Sequence, residues 1–296
     1  MAGGLRPAGA NTAAGPLTGT RLFAQDKAMN RTGLIAAIAT AAAVGLVFGL
    51  YPDLDIRVTA LLFNPEFYTY GMRQALVPVR QGAMWLIAAL AAPAVLAVLL
   101  KLVMPSRPMF MPGRAVLLLI ATLALGPGLL VNVIAKEHWG RPRPIEVQQM
   151  GGSKPFVAWW DPRGTCANNC SFVSGDVAGG FWTMAPAALA PAPWRALAYT
   201  AAIAFGSGIA VLRMLFGGHF FTDAVFAGVM TFVIIWLVFN LLYRWQASRL
   251  SDQAIEQAIA RLARPSVLFR RPAQRGPPPG AAQADAAAGA DRRPGE

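Results

Sequence analysis

Apolar runs long enough to cross a bilayer recur along this chain, and they fix its class before any motif is considered. They cover roughly residues 33–51, 82–103, 115–135, 176–192, 196–213 and 223–243, each close to the ~17–25 residues of a helical span. The expectation is therefore an all-α fold, a six-span transmembrane helical bundle. Composition agrees, with 55% hydrophobic and 14% charged residues. The net charge of +12 would suit nucleic acid on a soluble domain. Here the bases lie in the tails and at the ends of apolar runs, which argues against that partner. The first run reads as a retained anchor, because it is long and no small-residue cleavage site follows it.

Three segments follow from this pattern. Residues 1–32, rich in Gly, Ala, Pro and Thr, read as a disordered N-terminal tail. Residues 33–245 form the six-span domain. Residues 246–296 read as a basic, largely disordered cytoplasmic tail, whose start carries an amphipathic piece with Ile255, Ile259, Leu262, Arg261 and Arg264. The fourth and fifth runs are the least regular, since Pro186, Pro191 and Pro193 interrupt them.

Positive charge orients the bundle with both termini in the cytoplasm. Of the 26 Lys and Arg, only Arg57, Arg73, Arg80, Lys136, Arg141, Arg143, Lys154, Arg163 and Arg213 then lie outside. Three polar clusters fall on that outer side. The first runs from Lys136 to Pro144, the second is Ser174-Gly175-Asp176, and the third runs from Arg213 to Asp223. Cys166 and Cys170 share the loop between the first two clusters. Two close cysteines in an exported loop suggest a disulfide, with free thiols as the alternative.

Each cluster has a bland reading and a chemical one. Lys136, Arg141 and Arg143 could be interfacial cations that snorkel to headgroups, or forks and point charges for a phosphate. Ser174 and Gly175 could simply cap a helix, or present a helix N-terminus to an anion. His219 and Asp223 lie four apart and share a helix face, so the carboxylate could orient the imidazole as a nucleophile or base.

Taken together the clusters resemble the type 2 phosphatidic acid phosphatase superfamily. That family's pattern is K-x6-R-P, then P-S-G-H, then S-R-x5-H-x3-D. This chain offers Lys136 with Arg143-Pro144, then Val173-Ser174-Gly175-Asp176, then Leu212-Arg213 with His219 and Asp223. The resemblance implies an integral membrane lipid phosphatase working through a phosphohistidine on His219, with Asp223 as its orienting partner. It implies that Lys136, Arg143 and Arg213 clamp the phosphoryl oxygens, that Ser174 and Gly175 donate to phosphate, and that no metal or other cofactor is needed. Arg141 and Phe172 are expected as headgroup contacts.

The serious departure is Asp176, where the family has the histidine that protonates the leaving oxygen. Three readings stay open: Asp176 is itself the acid, the substrate has a good leaving group, or the chain binds lipid phosphate without turnover. The expected partner is a membrane lipid, with a lean to a lipid A phosphate. Undecaprenyl diphosphate, phosphatidylglycerol phosphate and lipid phosphotransfer are alternatives. The expected location is the bacterial inner membrane, multi-pass, with an outward-facing site.

Overall fold

A computed structural model describes residues 31–63, 65, 70–245 and 250–263. Residues 1–30 and 264–296, which hold nearly all of the N-terminal tail, Arg264 and most of the basic tail, lie outside the described residues. The described chain is all-helical, as expected: α1 Arg31–Leu50, α2 Asp53–Ala60, α3 Tyr70–Val103, α4 Gly113–His138, α5 Gly175–Trp182, α6 Met184–Ala188, α7 Ala192–Leu215, α8 Phe221–Tyr243 and α9 Asp252–Leu262. Five of these, α1, α3, α4, α7 and α8, are long and apolar enough to cross a membrane, and the chain is a multi-pass membrane protein.

The expected fourth span takes a different form. Residues 175–188 are two short helices broken at Thr183, whose hydroxyl donates to the Gly180 carbonyl (2.7 Å). A rise of ~1.5 Å per residue gives this pair roughly 20 Å, less than the ~30 Å hydrocarbon core. The pair still occupies the place of the expected span, enclosed by protein: Val177, Ala178, Trp182, Ala185 and Ala188 are all fully buried. The Trp182 indole donates to the Thr122 hydroxyl on α4 at 3.0 Å, and the Phe181 ring lies against Gly206 of α7 and Gly228 of α8. Small residues at such contacts let membrane helices approach closely. The motif helix α5 is thus the central plug around which α4, α7 and α8 pack.

Pro127 interrupts the hydrogen-bond ladder of α4, and the turns over Ala124–Ala135 widen to π geometry, a usual response to a missing N–H. The Asn132 amide donates to the Pro127 carbonyl at 2.7 Å. Beyond this segment α4 regains one α-helical turn that ends in Lys136, Glu137 and His138.

The bundle has two polar ends. At one, α3 begins, α4 ends, α5 begins, and α7 turns into α8. At the other, α9 is tied beneath α3 and α4: Glu256 pairs with the buried Lys101 (2.7 Å), and Asp252 with Arg114 (3.0 Å).

Candidate active site

The α7–α8 turn carries His219, the candidate nucleophile. His219 is buried, and its Nδ1 lies 2.7 Å from the carbonyl oxygen of Ser171. A carbonyl can only accept, so Nδ1 must carry the proton and Nε2 holds the free lone pair. Sequence spacing had suggested Asp223 as the group that fixes the tautomer. Its Oδ2 is 3.8 Å from Nδ1, near enough to act by charge, while the backbone of Ser171 makes the hydrogen bond. Burial holds the His219 imidazole below its ordinary value, and Asp223 opposes this. The ring is therefore neutral, and nucleophilic at Nε2, at physiological pH.

Asp223 is held from several directions. It accepts from the Ser171 hydroxyl (2.5 Å), the Phe220 N–H (2.9 Å) and Arg141 Nη1 (2.5 Å). This overturns the expectation that Arg141 meets lipid headgroups. Its side chain is 0% exposed. It also donates to Asp55 (2.7 Å), Thr222 Oγ1 (2.9 Å) and the Val157 carbonyl (2.9 Å), and lies over the Phe220 ring. Two buried carboxylates drew it inward, a partnership that no local spacing announces. Phe172 is corrected in the same way. It is buried among Trp139, Trp159 and Phe226, with ring centroids 4.7, 6.4 and 5.8 Å away.

The second cluster opens α5. Ser174 is its buried N-cap, with the hydroxyl accepting from the Val177 N–H at 3.4 Å. Gly175 sits under the first cluster: a Cβ there would come 3.2 Å from Lys136 Nζ and 2.7 Å from Asn132 Oδ1. Only a bare α-carbon lets the Lys136 ammonium lie over this helix start. Arg143 donates to the Asn169 carbonyl at 2.9 Å and is close enough to His219 to disfavour its protonation. Cys166 and Cys170 are joined by a disulfide with Cα atoms 5.7 Å apart, in the loop that supplies both the Asn169 and Ser171 carbonyls.

Asp176 is the hub of the mouth. Arg80 reaches it with two bonds (Nε–Oδ2 2.6 Å, Nη2–Oδ1 3.2 Å), and Arg213 Nε approaches Oδ2 at 3.3 Å. Burial works to raise the Asp176 carboxyl, but Arg80 and Arg213 outweigh it and hold it below the ordinary carboxylate range. Asp176 is thus an ionised counter-ion to two guanidinium groups. The structure brings Lys136, Ser174, Gly175, Asp176, Arg213, His219 and Asp223 together, with Arg143 beside them. Sequence reasoning missed Arg80, Asp55, Ser171 and Thr222. For Arg80 a signal existed: an arginine within an apolar helix needs a partner and marks function by default.

Residues 115–247 match the PAP2 superfamily. Over 132 residues the chain is 42% identical to the lipid A 4'-phosphatase of Francisella tularensis subsp. novicida (strain U112), covering 44% of this chain and 60% of that protein. Over 115 residues it is 37% identical to the lipid A 4'-phosphatase of Rhizobium leguminosarum, covering 39% and 49%. The chain therefore matches about half to three fifths of the length of these relatives. No solved structure matches it significantly. Residues 115–247, the stretch that matches the PAP2 superfamily, hold all three motifs and every cation around His219 and Asp176 except Arg80.

Proposed function

We propose that this protein is a bacterial membrane phosphatase that hydrolyses a lipid phosphate monoester, with a lipid A phosphate as the favoured substrate. The reading puts it in the inner membrane with both termini cytoplasmic and the site facing the periplasm. One observation carries the chemistry: the Ser171 carbonyl fixes the proton on His219 Nδ1, leaving the Nε2 lone pair for attack, with Arg213 and Arg143 close to the ring. The names of the two relatives favour lipid A over the other lipid phosphates.

In the first step the Nε2 lone pair attacks phosphorus. The P–O bond breaks with its electron pair going to the departing oxygen. Lys136, Arg143, Arg213 and the Gly175 N–H offset the charge on the three remaining oxygens. Asp223 faces the imidazole as it becomes cationic. In the second step water attacks the phosphohistidine, and the N–P electron pair returns to Nε2.

Protonation of the leaving oxygen falls to Asp176, once substrate has changed its surroundings. A phosphate dianion competes with Asp176 for Arg213 and Arg80. A carboxylate that loses two cations and gains a dianion neighbour takes up a proton, which is the proton the departing oxygen needs. In the second step the resulting carboxylate accepts a proton from water. The tight pairing of Asp176 with Arg80 and Arg213 also supports a second reading, in which a diphosphate or anomeric phosphate leaves without acid help.

The deciding experiment is phosphate release by purified protein in detergent from lipid monophosphates and diphosphates between pH 4 and 8. His219→Ala is expected to abolish all release, while Lys136→Ala also weakens binding. Asp176→Asn is expected to abolish release from alkyl monoesters. Survival of that release in Asp176→Asn only for good leaving groups would move the assignment to the second reading. Release that persists in His219→Ala would end the phosphohistidine mechanism.

A further inference from the structure

Behind His219 lies a charge cluster that the motifs do not contain. Asp55 comes from α2, well before the PAP2 residues, and is 1% exposed. Its Oδ2 accepts from Arg141 Nη2 (2.7 Å) and from the Thr222 hydroxyl, and its Oδ1 accepts from the Thr222 N–H at 3.1 Å. Burial pushes this carboxyl up and Arg141 pulls it down, with burial ahead. The geometry favours the ionised form, because Arg141 Nη2 and the Thr222 N–H can only donate and one meets each carboxylate oxygen. Asp223 likewise meets only donors.

Two carboxylates therefore share one guanidinium. Without Asp55, the charge of Arg141 would cancel that of Asp223, and His219 would face a neutral pair. With Asp55 the group keeps one net negative charge, in a buried place where charge acts strongly. That charge sits on the Nδ1 side of the ring, opposite the atom that attacks phosphorus, where it favours the cationic imidazole of the transition state.

We infer that Asp55 is a positioning residue for His219, acting through Arg141 on Asp223, so that the working unit is a four-residue relay of Asp55, Arg141, Asp223 and His219. The inference rests on the phosphatase reading for its catalytic consequence, though not for the coupling itself. The other charges around His219 are Arg143, Lys136, Asp176, Arg80 and Arg213, and none of them is altered in the test.

The chain has only two histidines, and His138 lies outside the catalytic machinery. In a His138→Gln background, 15N-labelled histidine gives one imidazole to titrate directly in detergent micelles. Asp55→Asn removes the distant negative charge and is expected to lower the His219 midpoint by about one pH unit. It should lower kcat about tenfold with KM within about twofold. Asp55→Asn with Arg141→Met removes a charge of each sign, and its midpoint should return to within a few tenths of a unit of the wild type. Damage to packing would not produce a shift that a second buried substitution reverses.

A folded Asp55→Asn protein with an unmoved His219 midpoint would overturn the inference, as would a double variant that shifts further in the same direction. Should Asp55→Asn alone fail to fold, the double variant against Arg141→Met decides. Arg141→Met is expected to raise the midpoint, and adding Asp55→Asn to lower it again. Phosphate release by the wild type is read separately. If wild type releases none while the midpoints move as stated, the phosphatase reading falls and the electrostatic coupling stands.

Discussion

Two adjacent glycines turn the chain from Arg213 into His219, and a methyl group added to either should fail differently. Gly217 has φ +59°, and a Cβ there would lie 2.7 Å from the buried Phe63 ring. Gly217→Ala should therefore destabilise the fold, with ~1–2 kcal/mol from the left-handed backbone alone and more from the ring contact. At Gly218 the added methyl would meet Arg213 Nη2 at 2.7 Å. That atom ends a flexible side chain and can move away. Gly218→Ala should leave the unfolding midpoint almost unchanged and raise KM by roughly tenfold as one fork of the clamp is displaced. Thermal unfolding and KM for the two variants separate the cases. Equal loss of stability in both would mean that Arg213 cannot yield. The same scale shows where residue type misleads. Arg141 and Arg143 are two apart in one Pro-broken stretch, yet Arg141 is sealed between carboxylates while Arg143 reaches the loop carbonyl of Asn169.

At the scale of elements, the positions of α1, α3, α4, α7 and α8 were legible because a membrane span needs a long apolar run and little else. The polar ends of α4, α5 and α8 were legible because the motif spacings match helix starts and stops. The short, broken form of α5 and α6 was not. A fully buried apolar stretch and a lipid-facing one read alike in composition, and only the partners of Trp182 and Phe181 distinguish them. Arg80 and Asp55 were hidden for a related reason, as each acts across more than eighty residues, Arg80 on Asp176 of α5 and Asp55 on Arg141 in the loop after α4. The far end of the bundle allows a separate test. Lys101 is 6% exposed and is held by Glu256 and the Arg107 carbonyl, both at 2.7 Å. Glu256→Gln leaves that ammonium short of its counter-charge, and should cost about 1–3 kcal/mol. Because α4 separates this end from His219 by roughly 30–40 Å, kcat should stay within about twofold. A lower unfolding midpoint with unchanged turnover is the expected pair of results. A large fall in kcat would show that α9 communicates with the site.

For the whole molecule, the arrangement of the two ends makes sidedness testable with cysteines already present. The disulfide loop of Cys166 and Cys170 sits at the end with His219, while α9 sits at the other. The proposed orientation exposes the loop to an oxidising compartment, where a disulfide persists, and leaves α9 in the reducing cytoplasm. In cells with a permeabilised outer membrane, a membrane-impermeant reductant followed by an impermeant maleimide should label Cys166 and Cys170. A Gln257→Cys probe on the exposed face of α9, in a background with both native cysteines replaced by serine, should be labelled only after the inner membrane is opened. The reverse pattern would place His219 in the cytoplasm, and a lipid A phosphate in the outer leaflet could not reach it. This outcome bears on substrate as well as topology: the proposed cation clamp is fixed at one end of the bundle, so the leaflet it faces limits which lipid phosphates could present themselves to Nε2.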